Sequence, residues 1–247
     1  MSTGRKTDQR PVLAIDIGGT GLKAALVSLD GQMLSERQRI PTPYPCPPPI
    51  MIEALARLVR PLKGYGRIAI GFPGVVRDGR VLTAPHYGTD VWHDFPLART
   101  LSEELGRKPA RLINDAEMQG LAAISGSGLE LVLTLGTGAG TGLFRDGELM
   151  PHMELAHHPV HKSKTYNDYV GKEALKRSGK KRWNRHVARV IDILSALLNY
   201  DRLYIGGGNA HKINFELPAN VTLVTNDAGL EGGGFLWRQP ASFGAER

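Results

Sequence analysis

The sequence predicts an α/β protein whose two halves begin in the same way. Each half opens with an apolar strand, a glycine turn and a second strand: Val12–Ile17 precedes Gly18–Gly19, and Leu129–Leu135 precedes Gly136–Gly142. Segments with apolar residues at helical spacing separate the strands, and the clearest is Trp183–Tyr200. Glycine accounts for 30 of the 247 residues and clusters beside the apolar runs, which is typical of functional turns.

The other elements follow from periodicity and from turn signals. In the first half they are strands at Leu22–Leu29 and Met33–Ile40, a non-helical proline-dense connector at Pro41–Pro49, a helix at Ile50–Leu62, a strand at Arg67–Phe72, a helix at Phe95–Leu105 and a strand at Arg111–Asp115. In the second half they are a helix at Glu117–Ile124, strands at Gly142–Arg145, Arg202–Ile205 and Val221–Val224, and a glycine-rich helix at Gly229–Trp237. We therefore divide the chain into an N-terminal lobe, residues 1–115, and a C-terminal lobe, residues 116–247.

Composition excludes several classes of protein. The single cysteine, Cys46, excludes a disulfide framework and a cysteine-rich zinc site. No stretch approaches the ~20 apolar residues of a membrane helix, and Met1–Gln9 is too polar for a signal peptide. These features predict a cytoplasmic protein that does not associate with membranes.

Positive charge is concentrated in one segment. The formal net charge is +7, and Lys162–Arg189 alone holds ten lysines or arginines and two acids. The rest of the chain is close to neutral, which argues against a general affinity for nucleic acids. The segment indicates either a local anion site or a solvated helix face.

The glycine turns do not match two well-known phosphate loops. The pairs Gly171-Lys172 and Gly179-Lys180 lack the Ser or Thr that follows in a Walker motif. Neither Asp16–Gly21 nor Gly136–Gly142 has the glycine spacing of a dinucleotide fold, and a strand rather than a helix follows Gly21.

The remaining interpretation is a β-hairpin whose tip holds phosphate. Asp16 would bind Mg²⁺ directly or through water, and Thr20 with the amides of Gly18 and Gly19 would donate to phosphate oxygens. The alternative is a turn that is rich in glycine only because its geometry demands it. The second loop, Leu135–Gly142, favours phosphate binding, because two facing hairpin tips would clamp a polyphosphate chain.

Six segments in order resemble the motif series of the ROK family of sugar kinases. They are Asp16–Lys23, Gly71–Gly74, Asn114–Ala116, Leu135–Gly140, Glu154–His157 and Gly206–Gly208. The order and rough spacing match from about residue 11 to residue 237. The resemblance implies an actin-like, ribonuclease-H-like fold with two lobes that close over a sugar and a phosphate donor.

The resemblance also implies roles for particular residues. Asp115 would be the catalytic base that takes the proton of the sugar's primary hydroxyl, although its position before an apolar run also suits a helix N-cap. The implied sugar contacts are Asn114, Asp115, Glu154 and His157. The implied phosphate and nucleotide contacts are Asp16, Gly18, Gly19, Thr20, Lys23, Gly136, Thr137, Gly138, Gly140, Gly206, Gly207 and Gly208.

Two departures from the family pattern are informative. Glu154–His157 leads into His158–Lys164 without the family's zinc-binding cysteines, so no structural zinc is expected. His152, His157, His158 and His161 have neither a thiolate nor an evident carboxylate partner in the sequence. In place of the family's asparagine before a tryptophan, which is a sugar contact, the chain has His86 and Tyr87; either of them would replace the amide, which leaves the identity of the sugar open.

The short chain, the missing cysteines and the basic segment resemble the polyphosphate glucokinase branch of the family. A groove lined by basic residues would suit inorganic polyphosphate, with Lys176, Lys180 and Lys181 as the leading contacts; a solvated helix and turn is the alternative. The residues of this groove are Lys172, Lys176, Arg177, Lys180, Lys181 and Arg182. No helix-turn-helix precedes Val12, so we do not expect DNA binding. We expect a homodimer that, with Mg²⁺, transfers a phosphoryl group from ATP or polyphosphate to the 6-hydroxyl of glucose. Another hexose, an amino sugar, or a role as a non-catalytic sugar sensor are the alternatives.

Overall fold

The computed structural model describes residues 10–224 and 228–245, so the polar start predicted at Met1–Gln9 lies outside the described residues. The chain divides into two compact units. Unit 1 contains the described residues up to Ile113 and from Gly233 onward, and unit 2 is Asn114–Gly232.

Unit 1 is a five-stranded sheet with helices packed against it. Its elements are β1 (Val12–Ile17), β2 (Gly21–Val27), β3 (Gln38–Pro41), α1 (Pro48–Val59), β4 (Arg67–Phe72), β5 (Val76–Arg77), β6 (Arg80–Val81), α2 (Thr89–Trp92), α3 (Leu97–Glu104) and β7 (Ala110–Asn114). The sheet order is β3-β2-β1-β4-β7, in which β1 is antiparallel to β2 and parallel to β4. Strand β1 is buried along almost its whole length, as expected for a central strand.

Helix α1 begins inside the proline-dense segment. The sequence predicted that Pro41–Pro49 is not helical, but the helix starts at Pro48. Proline is tolerated in the first turn of a helix because the N–H groups there have no partner within the helix. The helix buries Met51, Leu55 and Leu58, at helical spacing, in the unit 1 core.

Unit 2 repeats the architecture of unit 1. Its elements are α4 (Asp115–Ala123), β8 (Leu129–Leu135), β9 (Ala139–Arg145), β10 (Glu148–Leu149), β11 (Pro159–His161), β12 (Lys164–Thr165), α5 (Tyr166–Val170), α6 (Lys172–Leu198), β13 (Arg202–Gly206), a 3₁₀ turn (Ala210–Lys212) and β14 (Val221–Leu223). In the sheet order β10-β9-β8-β13-β14, β8 is antiparallel to β9 and parallel to β13, as β1 is to β2 and β4 in unit 1. The duplication that the sequence indicated is therefore present in the topology.

Helix α6 is longer than predicted and contains a break. The sequence predicted a helix from Trp183, whereas α6 starts at Lys172 and is interrupted at Gly179, whose φ is 74°. Trp183, Val187 and Leu194 fill the unit 2 core. Across the described ranges, none of the helices combines the length and the apolar character that crossing a bilayer requires.

The C-terminal residues belong to unit 1 and not to the C-terminal lobe in which the sequence placed them. The last helix, α7 (Ala228–Leu236), includes the point at which the chain returns to unit 1. The Arg111 guanidinium donates to the carbonyls of Leu236 (2.7 Å) and Gln239 (3.0 Å) and lies 4.5 Å from the Trp237 ring centroid. Contacts between segments this distant in sequence leave no periodic signal in the chain.

Candidate active site

The tip of the β1–β2 hairpin is a tight turn. The Gly18 N–H donates to the Gly21 carbonyl (3.1 Å), and the Gly21 N–H donates back to the Gly18 carbonyl (3.3 Å). Gly19 and Thr20 form the exposed tip. Because the Gly18 N–H closes the turn, the exposed backbone amides that could donate to a phosphate oxygen are those of Gly19 and Thr20.

Two hydroxyl groups hold the Gly18 carbonyl. It accepts from Thr42 Oγ1 (2.6 Å) and from the Tyr87 hydroxyl (2.9 Å). The Tyr87 ring packs against Phe72 and the fully buried Trp92, with centroids 5.8 and 5.9 Å away. Tyr87, which the sequence offered as a sugar contact, thus joins an aromatic cluster to the β1–β2 turn.

His86 also lies beside the hairpin tip. A side chain at position 19 would come within 3.4 Å of the His86 ring. The two residues that replace the family's asparagine are therefore both positioned against the turn Gly18–Thr20.

Asp16 and Lys23 face each other across β1 and β2. They are register partners, and Lys23 Nζ lies 2.8 Å from Asp16 Oδ2. The Asp16 side chain is only 16% exposed. A single carboxylate at a strand end suits Mg²⁺, which is typically held by one or two carboxylates, substrate phosphates and several waters. No group of three or more His, Cys, Asp or Glu side chains in the described ranges could hold a metal ion.

In unit 2, the start of α4 carries Asp115. Asn114 is the N-cap: its Oδ1 accepts from the Ala116 N–H (2.9 Å), and its own N–H donates to Glu117 Oε2 (3.1 Å). This reciprocal pair is a capping box. Asp115 is the half-buried first residue of the helix, so the alternative that Asp115 is the N-cap is wrong.

A buried histidine lies between two glutamates in the same unit. His152 Nδ1 lies 2.7 Å from Glu117 Oε1, and His152 Nε2 lies 3.6 Å from Glu154 Oε2. Burial alone would lower the pKa of His152, but the two carboxylates outweigh it and raise the pKa to about 9. His152 is therefore a cation at neutral pH. Burial of Glu154 is likewise outweighed by its contacts with His152, so its pKa is lowered.

The expectation that none of the four histidines has a carboxylate partner is wrong for His152. Glu154 lies in the same irregular segment as His152, but Glu117 lies on α4, 35 residues away in the chain, so no local motif indicates the His152–Glu117 contact. The resulting chain of contacts runs from the Asn114 N–H through Glu117 and His152 to Glu154. His157, which the resemblance offered as a sugar contact, is exposed.

The second glycine loop lies close to the start of α4. The Gly136 N–H donates to the Gly138 carbonyl (3.0 Å), which forms the turn between β8 and β9. A side chain at Gly140 would come within 2.8 Å of the Ala116 Cβ. The Thr141 hydroxyl donates to the Met153 carbonyl (2.7 Å), next to Glu154. Unit 2 thus brings together the glycine loop, the start of α4 and the segment that carries Glu154.

The Gly206–Gly208 turn packs against this loop. A side chain at Gly207, whose φ is 88°, would clash with the Leu135 backbone, and one at Gly206 would clash with Gln119. Gly208 is exposed, with open space beside it. Sequence analysis missed Asn209, whose backbone N–H donates to the Leu135 carbonyl (2.8 Å) and whose side chain donates to the Gly136 carbonyl (3.2 Å).

The predicted polyphosphate residues lie on α6. Lys176 pairs with Glu173, at 2.8 Å, and is exposed. Lys180 and Lys181 are exposed and follow the break at Gly179.

Comparisons with known proteins show the family to which the chain belongs. The model of the ROK family matches residues 12–162. The chain is 31% identical over 250 residues to polyphosphate glucokinase of Mycobacterium tuberculosis (strain CDC 1551 / Oshkosh), with 92% of this chain and 91% of that protein covered. It is 42% identical over 144 residues to N-acetylmannosamine kinase of Escherichia coli (strain SE11), with 56% of this chain and 48% of that protein covered.

Among solved structures, the inorganic polyphosphate/ATP-glucomannokinase from Arthrobacter sp. strain KM superposes with a TM-score of 0.82 at 30% identity, covering 91% of this chain and 96% of that one. A ROK family glucokinase from Streptomyces griseus has a TM-score of 0.76 at 20% identity, covering 93% of this chain and all of that one, and supports the fold alone. The predicted actin-like, ribonuclease-H-like α/β fold is confirmed, and the chain belongs to the ROK family.

Proposed function

We propose that this ROK sugar kinase transfers a phosphoryl group from inorganic polyphosphate, ATP or both to the 6-hydroxyl of glucose. The observation that carries the proposal is the position of Asp115 in unit 2. It opens α4, whose first turn packs on β9 at Gly140 and is bonded through Glu117 to His152. A base, a phosphate loop and a polar segment for a sugar are thereby assembled in one unit.

In the proposed reaction, Asp115 accepts the proton of the sugar hydroxyl as the oxygen attacks the terminal phosphorus. The bond between that phosphorus and the bridging oxygen breaks, and the electron pair leaves with the shortened donor. Phosphoryl transfer of this kind depends chiefly on positioning and on neutralising charge. Because Asn114 and Glu117 cap the helix, Asp115 is not required for that structural task.

We assign the sugar contacts to Asn114, Asp115, Glu154 and His157. Recognition of hydroxyl groups requires rigid donors and acceptors, because a loosely held site cannot reject a wrong epimer. His152 contributes to rigidity: it keeps the Glu154 carboxylate ionised, and the Ala156 N–H donates to Glu154 Oε1 (3.1 Å). Glu154 would then accept from sugar hydroxyls in a fixed orientation.

We assign the donor contacts to both glycine hairpins. Gly19, Thr20 and Lys23 of unit 1 would contact phosphate, with Mg²⁺ held at Asp16; the ion would neutralise charge on the phosphates. In unit 2, we assign donor contacts to the loop Gly136–Gly138 and to the exposed Gly208. The names of the mycobacterial and Arthrobacter relatives, both of which include polyphosphate, support that donor. The homodimer implied by the family stays a prediction.

An amino sugar is the second candidate for the acceptor. The N-acetylmannosamine kinase similarity reaches 42% identity over 144 residues. The Tyr87 hydroxyl donates to the Gly18 carbonyl and is therefore already engaged, unlike an asparagine that contacts the sugar. The altered segment at His86 and Tyr87 is consistent with a changed acceptor.

A matrix of parallel assays tests the proposal. Glucose, mannose and N-acetylmannosamine are each supplied with ATP and, separately, with long-chain polyphosphate, and the sugar phosphate is measured. We expect glucose 6-phosphate with at least one donor and a higher kcat/KM for glucose than for N-acetylmannosamine. The reverse order would favour the second candidate, and no turnover of any sugar with either donor would refute kinase activity.

A further inference from the structure

Unit 2 contains a small cavity within the basic segment, separate from the glycine loops. Its volume is about 230 Å³. It is lined by residues of β12 and α5 and by residues on both sides of the break in α6: Lys164, Asp168, Tyr169, Arg177, Ser178, Arg182 and His186.

The cavity is positively charged and its charge is poorly compensated. In the described part of the chain, the side chains of Lys164 and Arg182 make neither a hydrogen bond nor an ion pair. Burial, together with the charges of Arg182, Arg185 and Lys164, holds the pKa of His186 below its ordinary value. Like charges gathered around a cavity repel one another, and an anion between them would relieve that repulsion.

The one carboxylate in the lining is already engaged. Asp168 accepts from the Thr165 N–H (2.9 Å) and the Thr165 hydroxyl (3.0 Å) in the capping box of α5, which lowers its pKa. Arg177 donates to the Asp168 backbone carbonyl (2.9 Å) and not to its carboxylate. Asp168 therefore stabilises the helix start and offsets only part of the surrounding positive charge.

The break at Gly179 is what gathers the basic residues. In an unbroken helix, residues 177 and 182 would point in directions about 140° apart, because each residue turns by about 100°. Gly179 adopts a φ of 74°, which an L side chain rarely adopts, and both Arg177 and Arg182 line the same cavity. His186 follows Arg182 by one helical turn and so lies on the same face.

The cavity adjoins the second glycine loop through α5. Asn167 accepts the Ala139 N–H on its Oδ1 (2.8 Å), and the Lys172 N–H donates to the Gly136 carbonyl (3.1 Å). The next two residues after Asn167, Asp168 and Tyr169, line the cavity. A phosphate chain that starts at Gly136–Gly138 would need only to pass over this short helix to reach the basic groups.

We propose that this cavity binds phosphate groups of inorganic polyphosphate beyond the reacting end, through Lys164, Arg177 and Arg182. The proposal rests on the use of polyphosphate in the proposed function. It narrows the groove expected from the sequence to Arg177 and Arg182 and adds Lys164, because Lys176 pairs with Glu173, and neither Lys180 nor Lys181 lines the cavity.

Three double variants test the site. K164Q/R182Q removes two charges from the cavity, K180Q/K181Q removes two from the groove expected from the sequence, and K162Q/R189Q removes two exposed charges of the same segment that do not line the cavity. The steady-state KM is measured for polyphosphate, ATP and glucose. Thermal unfolding without ligand is measured alongside, and K164Q/R182Q should be no less stable than the wild type because it relieves repulsion.

We expect K164Q/R182Q to raise the KM for polyphosphate by roughly tenfold or more, since charged hydrogen bonds are lost. Its KM for ATP and glucose, and all KM values of K162Q/R189Q, should stay within about twofold, since these residues do not contact either ligand. The proposal would be overturned if K180Q/K181Q raised the KM for polyphosphate more than K164Q/R182Q does. It would also be overturned if K164Q/R182Q raised the KM for polyphosphate and the KM for ATP equally.

Calorimetric titration distinguishes binding of long-chain polyphosphate from binding of short or free phosphate. Long-chain polyphosphate, pyrophosphate and orthophosphate are each titrated into the wild type and into K164Q/R182Q. We expect the affinity for polyphosphate to fall most in the variant. If orthophosphate alone binds with a dependence on these residues, or if polyphosphate does not bind the wild type, the inference fails. ATP-dependent phosphorylation of the sugar would be untouched by that failure, so the kinase proposal is tested separately.

Discussion

His152→Gln removes the only cation between Glu117 and Glu154 in the contacts described above. The imidazole lies 2.7 Å from one carboxylate and 3.6 Å from the other, and its side chain is 12% exposed. Glutamine keeps a polar group of similar reach but carries no charge at any pH. The variant therefore isolates the charge of His152 from its volume.

The expected size of the effect follows from the pKa of His152. The ordinary value is 6.5 and the folded value is about 9. Since a tenfold change in proton affinity corresponds to ~1.36 kcal/mol, protonation of His152 contributes about 3 kcal/mol to folding. Because the pKa is raised in the folded state, this stability is fully present below pH 6.5 and is lost as the pH rises through about 9.

Urea unfolding between pH 6 and pH 10 measures this contribution. We expect the free energy of unfolding of the wild type to fall toward that of His152→Gln, so that the gap narrows by about 3 kcal/mol across the series. His161→Gln, which alters an exposed histidine of the same unit, is the matched control and should leave the pH dependence unchanged. A gap between wild type and His152→Gln that is constant from pH 6 to pH 10 would refute the ion-pair interpretation.

Three further variants test other contacts. Tyr87→Phe removes the hydroxyl that holds the Gly18 carbonyl, so we expect a loss of about 1 kcal/mol in urea unfolding and a raised KM for the phosphate donor; an unchanged donor KM would contradict the positioning role. Glu130→Gln should cost about 2 kcal/mol, because this buried carboxylate accepts from Ser125, Gly126 and Tyr204. Burial would raise the pKa of Glu130, but these bonds lower it, so the contribution should be present above pH 4.5 and fade as the pH falls further; a pH-independent loss would speak against this. Asn209→Ala should weaken ATP binding in calorimetry by detaching the Gly206–Gly208 turn from the Gly136 carbonyl, and an unchanged affinity would show that the turn is held without it.

Much of the fold was predictable from the sequence because its signals are local. The hairpins β1–β2 and β8–β9 have apolar strands and glycine turns that are visible in a few residues, and the structure places them at equivalent positions in two sheets of the same order. The start of α1 was missed by two residues because proline excludes helix interiors but not first turns. The break in α6 was missed because the predicted helix began at Trp183, after the break at Gly179.

The candidate site was only partly predictable because its network is not local. The motif around Asn114–Ala116 was recognised, but only the structure shows that Asn114 is the N-cap and Asp115 the first helical residue. His152 looked isolated, because Glu117 comes from α4, 35 residues earlier in the chain, and nothing in the sequence shows that His152 lies between it and the nearby Glu154. In the sequence, Arg182 and Lys164 could not be distinguished from their basic neighbours; the structure distinguishes them because they line the cavity.

The turnover of Asp115→Asn tests the central claim most directly. Asparagine keeps the shape of the side chain but cannot accept the hydroxyl proton. We expect kcat to fall by at least ~10²-fold with every active donor, while the calorimetric Kd for the sugar stays within about threefold because hydrogen bonding to hydroxyls is largely retained. A kcat within about tenfold of the wild type would contradict the assignment of Asp115 as the base.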